Sequence, residues 1–229
     1  MDSIDFSRPI PLFPLPNCVL FPGVVQPLHI FEPRYLEMVA EALVDQSVLA
    51  MALLKPGWEK DYYGFPEIHP LVCVGKIIAH EKLDDGKYNL LLHGVARANV
   101  LVEARRDLYR VAKLEPCFDL PSPTESPLMM TQRKVLHDLL EQTALKDLTV
   151  TPSLEPLFLD EQVSTPRLFD LMAYTFVQDI STKQRLLEEL DPMRRGELVL
   201  RQMVTLATRL ESGTHRKGSS TWPPPLNAN

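Results

Sequence analysis

The sequence predicts an α+β protein: a β-rich first half curled into a small closed or half-closed barrel, followed by an α-helical bundle. Three observations carry that reading. Residues 9–31, PIPLFPLPNCVLFPGVVQPLHIF, contain no Asp, Glu, Lys or Arg, yet prolines at 9, 11, 14, 16, 22 and 27 forbid a helix. Each ring removes a donor and fixes φ, so the segment runs extended, with its apolar side chains in a sheet core. Strand-length apolar runs separated by turn residues then continue to Pro116, and beyond the proline- and serine-rich stretch 119–127, DLPSPTESP, the apolar period becomes helical.

Glu32-Pro33-Arg34 opens a short helix to about Leu43, with Tyr35, Val39 and Leu43 as its repeating apolar residues. Val48–Leu54 is a buried-strand run closed by Lys55-Pro56-Gly57. Leu71–Ala79 and Tyr88–Leu92 form a hairpin through Asp84-Asp85-Gly86, where glycine accepts positive φ, and Val95–Glu103 and Tyr109–Pro116 continue the sheet. In the second half, Leu128–Leu145 places Leu136, Leu139 and Leu140 on one stripe. Thr165-Pro166 caps a helix with Leu168, Leu171, Met172, Thr175 and Phe176 on one face. Ser181 starts a short helix and Asp191-Pro192 the last one, whose seam is Met193, Gly196, Leu200, Met203, Ala207 and Leu210. Four or five helices are expected. The domain boundaries that follow are 8–118 for the barrel, 119–127 for the linker, 128–211 for the bundle and 212–229 for a disordered tail poor in apolar residues.

An apolar content of 45% and a charged content of 24% are ordinary for a soluble globular protein, and the net charge of −6 argues against a polyanion partner. The prolines exclude a transmembrane span over 9–31, and Asp2 and Asp5 argue against a signal peptide. Cys18, Cys73 and Cys117 are odd in number and far apart, so they read as reduced, buried thiols of a cytoplasmic protein. No G-x-x-x-x-G-K-[ST] phosphate loop, G-x-S-x-G elbow or H-E-x-x-H helix occurs, so catalytic residues, cofactor and metal are all expected to be none. The six histidines show no i, i+4 pair. Ser181 and Lys183, two apart on a helix, face different ways and make a cap and a solvated lysine rather than a catalytic dyad.

Pro11-Leu12-Phe13-Pro14-Leu15, then Val19-Leu20-Phe21-Pro22-Gly23, then Pro27-Leu28, Ile30-Phe31-Glu32 and Arg34-Tyr35 resemble the opening of the LON domain, the N-terminal substrate-binding domain of ATP-dependent Lon proteases, which also occurs as a free-standing protein. Gly75, Asp85-Gly86, Gly94-Val95-Ala96-Arg97 and Lys183-Gln184-Arg185-Leu186-Leu187-Glu188 extend the resemblance over about residues 8–210. It implies a pseudo-barrel similar to the PUA fold, and a module that recognises substrate and, in the full protease, helps assemble the hexamer.

The function expected is that of a stand-alone, non-catalytic polypeptide-binding module, an adaptor or regulator. Its partners would be unfolded or exposed polypeptide segments, with a protease or chaperone as a further one, and neither membrane nor nucleic acid. Burial in a groove between barrel and helices, with backbone bonding to a sheet edge, would supply the affinity. Trp58, Tyr62, Tyr63 and Phe65 crowd a loop between strands and are the first choice for gripping a ligand, or else fold under to cap the barrel. Glu32 and Arg34 either line the rim of a peptide groove or serve the helix start, Glu32 at the positive end of the dipole and Arg34 paired to a carboxylate with Tyr35 packed inward. His29, on the strand face opposite Leu28 and Ile30, is either a further peptide-binding candidate or a hydrogen-bonded structural histidine, and Arg97, Arg105 and Arg106 form either a small basic patch or a solvated strand end. An RNA-binding PUA-like module and a peptidase-associated regulatory subunit are the alternatives, and a hydrolase acting alone is opposed by the missing catalytic modules.

Overall fold

The charge-free opening forms two strands, β1 (Ile10–Leu15) and β2 (Val25–Ile30), because the prolines and Gly23, at φ 79°, turn the chain between them. The computed structural model describes residues 4–121 and 126–212. Residues 122–125 of the linker and the tail from Gly213 onward, expected to be disordered, lie outside the described residues. The chain divides into two units between Phe118 and Asp119.

The first unit adds α1 (Pro33–Val44), β3 (Val48–Leu53), β4 (Leu71–Lys82), β5 (Tyr88–Arg106) and β6 (Tyr109–Cys117). β1 pairs in parallel with β3 and antiparallel with β6, β3 and β4 are antiparallel, and β5 takes β4, β2 and β6 as antiparallel neighbours. The pairings β5-β4-β3-β1-β6 therefore return to β5, and β2 hangs on the first half of β5. Ile10, Leu12, Ala50, Val72, Ala98 and Leu114 share one buried cluster. β1 and β3 are buried on both faces because α1 lies over the other side, where the Phe13 and Tyr35 rings meet edge-on at 4.6 Å.

The α1 stripe is Tyr35, Met38, Val39 and Ala42; Leu43 is only half-buried, since a spacing of i, i+3, i+4, i+7 tracks the helix better than strict fours. Tyr88–Leu92 and Val95–Glu103 are one strand, not two. Gly94 does not end it; it admits another segment. Gly94 N donates to Val24 O at 2.8 Å, Gly23 N donates to Gly94 O at 2.8 Å, and a Cβ on Gly94 would overlap the Phe21 carbonyl oxygen. The predicted hairpin at Asp84-Asp85-Gly86 forms with Gly86 at φ 86° and Gly86 N bonded to Leu83 O at 2.9 Å. Of the three cysteines, Cys73 is buried, and Cys18 and Cys117 are half-buried.

The second unit holds α2 (Pro127–Gln142), α3 (Thr151–Leu159), α4 (Thr165–Phe176), α5 (Ile180–Glu188) and α6 (Pro192–Glu211). α2 stops before Leu145, which falls in a separate 3₁₀ turn, Ala144–Asp147. The caps sit one or two residues before the predicted starts: Ser164 precedes α4, and Asp179 accepts from Thr182 N at 2.7 Å ahead of α5. Asp191 caps α6 as predicted, accepting from Met193 N at 2.9 Å. On the α6 seam Gly196, Met203 and Ala207 are buried, but Val199 and Arg195 replace Leu200 and Met193.

Arg195 is fully buried. It donates to Asp119 Oδ1 and Oδ2 at 2.9 and 2.7 Å and to Glu189 O at 2.7 Å, and its Nε lies 3.1 Å from Asp170 Oδ1. Two carboxylates and a carbonyl are what make a dry guanidinium tolerable.

Arg195→Ala leaves the Asp170 carboxylate buried beside an empty space and is expected to cost about 3–5 kcal/mol in urea unfolding. Gly94→Ala is expected to cost about 1–3 kcal/mol by the same measurement, because the oxygen it meets is backbone and cannot turn aside.

Candidate functional site

Leu54 and Ile68 pair as an isolated bridge, with Lys55 N donating to Glu67 O at 2.8 Å, so residues 55–67 leave the sheet and return at one point as a closed excursion. Within it Gly57, at φ 93°, starts a 3₁₀ turn over Trp58–Asp61. Asp61 then fixes the far side, its carbonyl accepting from Gly64 N at 2.8 Å and its carboxylate from Phe65 N at 3.1 Å.

The excursion is clamped to the start of α1. Tyr62 Oη donates to Glu32 Oε1 at 2.8 Å, Arg34 Nη1 donates to Tyr62 O at 3.0 Å, and Arg34 Nε donates to Glu32 Oε2 at 3.1 Å. Arg34 Nη2 faces the same Glu32 oxygen at 3.0 Å, a charge contact rather than an aligned hydrogen bond. The guanidinium lies 4.5 Å from the Tyr35 ring centre, 4.6 Å from Tyr62 and 5.6 Å from Tyr63, so the tyrosine π-faces supply it with negative potential where carboxylates are lacking. Burial, and then the Glu32 carboxylate, push the Tyr62 phenol up to about 12; burial likewise raises Tyr35, whose Oη donates to Pro14 O at 3.2 Å.

This clamp sorts the four loop aromatics into two pairs. Trp58 and Tyr62, edge-on at 5.4 Å, pack against the buried cluster of the strands. Tyr63 and Phe65 stay outside, 81% and 44% exposed. Phe65 rests on the Arg110 guanidinium at 4.1 Å, and Arg110 in turn donates to Pro66 O at 2.6 Å and to Glu103 Oε2 at 3.0 Å. Tyr63, Gly64 and Phe65 thus wall a notch of about 20 Å³ with Arg34, Arg105, Leu108 and Arg110. Arg110, on β6 beside the turn where Asp107 takes φ 47°, is not singled out by sequence reasoning, nor are Gly64 and Leu108.

His29 belongs elsewhere. Its Nδ1 is 2.8 Å from Asn89 Oδ1, on the outer face of β2, β5 and β4, in an open cleft of about 460 Å³ floored by Pro27, Ala79 and Leu91. The free edge of β2 beside it is poorly suited to adding a strand. Pro27 has no N–H, and its carbonyl already accepts from Gln26 Nε2 at 2.8 Å.

The Glu32, Arg34 and Tyr35 contacts read from the helix start are present. Arg97, Arg105 and Arg106 do not gather: Arg97 is buried and pairs in register with Cys117, whereas Arg106 reaches Glu41 at 3.0 Å at the other end of β5. Ser181 Oγ donates to Asp179 at 2.6 Å and Lys183 Nζ to Tyr174 O at 2.7 Å, so the two make no dyad. Among the described residues, the carboxylates of Glu37, Glu41 and Asp107 come within 4.8 Å of one another, but Glu41 is already taken by Tyr109 Oη at 2.8 Å and by Arg106. No helix among the described residues is long and apolar enough to cross a membrane.

Comparison with known proteins bears on the whole of this architecture. The family model for the ATP-dependent protease La (LON) substrate-binding domain matches residues 9–205. A Lon protease of Anaeromyxobacter dehalogenans is 25% identical over 95% of this chain and 26% of its own length, and Lon protease 2 of Myxococcus xanthus is 25% identical over 95% and 27%. The chain therefore spans about a quarter of the length of the curated relatives it matches. The N-terminal domain of the Mycobacterium avium complex Lon protease superposes with a TM-score of 0.67 at 15% identity, over 86% of this chain and 98% of that one. A Lon N-terminal domain protein from Xanthomonas campestris does so with a TM-score of 0.55 at 25% identity, over 85% and 98%. A match that begins at the first strand and ends in the last helix takes in the excursion and its clamp as well, and by that extent the chain belongs to the family of LON substrate-binding domains.

Proposed function

We propose that this chain recognises exposed apolar segments of other polypeptides and performs no chemistry on them, with Tyr63 and Phe65 as the gripping surface. The observation that carries the proposal is the sorting of the loop aromatics. Two rings pack against the core, and two stay at the surface, Phe65 on the Arg110 guanidinium at 4.1 Å and Tyr63 5.6 Å from that of Arg34. A ring already packed on a guanidinium before binding, as Phe65 is, loses less entropy on contact, which is how a small patch gains affinity. Family membership supports the same reading, as does the absence of a phosphate loop and of a hydrolytic motif from the sequence. In this account a bound client's fate is biased, not worked upon, and a protease or chaperone would supply any unfolding.

A second reading, an RNA-binding module, is favoured by one observation: a guanidinium stacked on an aromatic ring, Arg110 on Phe65, also forms platforms for unpaired bases. The net charge of −6 opposes it.

Titration of labelled, unfolded-protein peptides followed by fluorescence anisotropy is expected to show saturable binding. Tyr63→Ala with Phe65→Ala is expected to weaken it about tenfold with the unfolding midpoint unchanged. Labelled single-stranded RNA should not bind. Equal peptide affinity in the double variant would remove these rings from the site. The clamp itself has a pH signature. Tyr62 is neutral in the folded chain to about 12, whereas in the unfolded chain it ionises near 10. The unfolded state therefore loses its proton first, and stability falls as pH rises between those values. Urea unfolding across that range should show a shallower fall for Tyr62→Phe than for the unaltered chain.

A further inference from the structure

We infer that the notch beside Tyr63 and Phe65 selects client segments in which a carboxylate neighbours an aromatic or large apolar residue, and that Arg105 reads the carboxylate. The inference rests on the polypeptide-binding proposal and names the chemistry of its ligand. It begins from the charges around the notch. Arg34 is paired with Glu32, Arg110 with Glu103, and Arg106, next to the notch, with Glu41. Arg105 lines the notch, is exposed, and has no ionic or hydrogen-bonding partner among the described residues.

The position of Arg105 makes that surplus charge costly. In the β5–β6 ladder it stands directly opposite Arg110, and like charges across a strand pair repel. Glu103 relieves Arg110, not Arg105. An incoming anion would relieve the remaining cation.

The size of the notch fixes how a ligand can use it. About 20 Å³ has space for little more than a water molecule, so neither a ring nor a branched aliphatic side chain enters. A single carboxylate oxygen can enter, beside the guanidinium groups of Arg34, Arg105 and Arg110. The apolar neighbour must lie outside, across Tyr63, Phe65 and Leu108, which are 81%, 44% and 51% exposed. A ligand therefore offers two features side by side, an acid for the notch and an apolar surface for its wall. A guanidinium can meet the acid with two parallel N–H bonds, which adds direction to the attraction.

The test uses the full chain and three labelled peptides, blocked at both ends and identical except for a central Phe-Glu, Phe-Gln or Phe-Lys. A fourth carries Phe at a free C-terminus. The Glu peptide is expected to bind about five- to tenfold more tightly than the Lys peptide, a margin that shrinks as salt is raised. Arg105→Glu, which puts an acid opposite Arg110, is expected to reverse the order with circular dichroism unaltered and the unfolding midpoint no lower than that of the unaltered chain. If the free C-terminus gains as much from Arg105 as the Glu side chain does, either source of carboxylate satisfies the notch and the inference holds.

Equal affinity for Glu and Lys peptides, with Tyr63→Ala still weakening both, overturns the inference and leaves the polypeptide-binding proposal standing. Peptide binding that ignores Tyr63→Ala and Phe65→Ala removes the site itself. Tighter binding of single-stranded RNA, lost in Arg105→Glu, would assign the free cation to phosphate and overturn the inference in favour of the nucleic-acid reading.

Discussion

The Arg34 guanidinium is held at the first turn of α1 with only one carboxylate near it, and the arrangement of the candidate site follows from how the remaining sides of that charge are satisfied. Glu32 takes two of its nitrogens, the Tyr62 carbonyl takes a third bond, and tyrosine faces cover the plane. A half-buried cation is stabilised when the sides turned from water find negative potential, and the aromatic faces provide what hydrogen bonds do not. Residues 55–67 are consequently drawn against α1. Because Tyr62 is committed both to the Glu32 carboxylate and to the core, its neighbour Tyr63 has to point away.

The sheet supplies the rigid frame for this clamp. Its strand pairings close on themselves through β5, which is long enough to pair with β2 and β4 near its start and with β6 toward its end. The β5–β6 turn carries Arg105 and Arg110 to the place where the excursion emerges, so the walls of the notch come from segments far apart in sequence but fixed by one ladder. The open β2 edge is blunted by Pro27 and by the Gln26 side chain, which protects the sheet from adding strands. Recognition through side-chain surfaces suits that frame better than recognition through a backbone edge.

Much of this frame is legible in the sequence, and what is not legible has identifiable causes. The proline-rich opening, the Asp85-Gly86 turn and the Asp191 cap depend on local backbone rules, and those act the same way in any context. Gly94 misleads because a glycine inside a strand can signal either a break or a close approach, and only the distant Phe21 carbonyl decides. α3 escapes notice because Pro152 and Pro156 interrupt its pattern, although Pro152 sits in the first turn, where its missing N–H costs nothing. Arg195 falls outside the apolar seam read for the last helix, and its burial depends on Asp119 and Asp170, neither of which the helical period can reveal. At the site, the aromatic loop, Glu32 and Arg34 are recognisable from residue type. The division of the aromatics and the recruitment of Arg110 require the tertiary pairing of β6 with β5.

Hydrogen–deuterium exchange of the chain with and without a saturating unfolded-protein peptide addresses the location of binding directly. The account predicts added protection in residues 58–65 and in the β5–β6 turn around Arg105–Arg110, with the cleft around Pro27, Ala79 and Leu91 unchanged. Protection confined to that cleft, with the excursion and the turn exchanging as in the free chain, would contradict it.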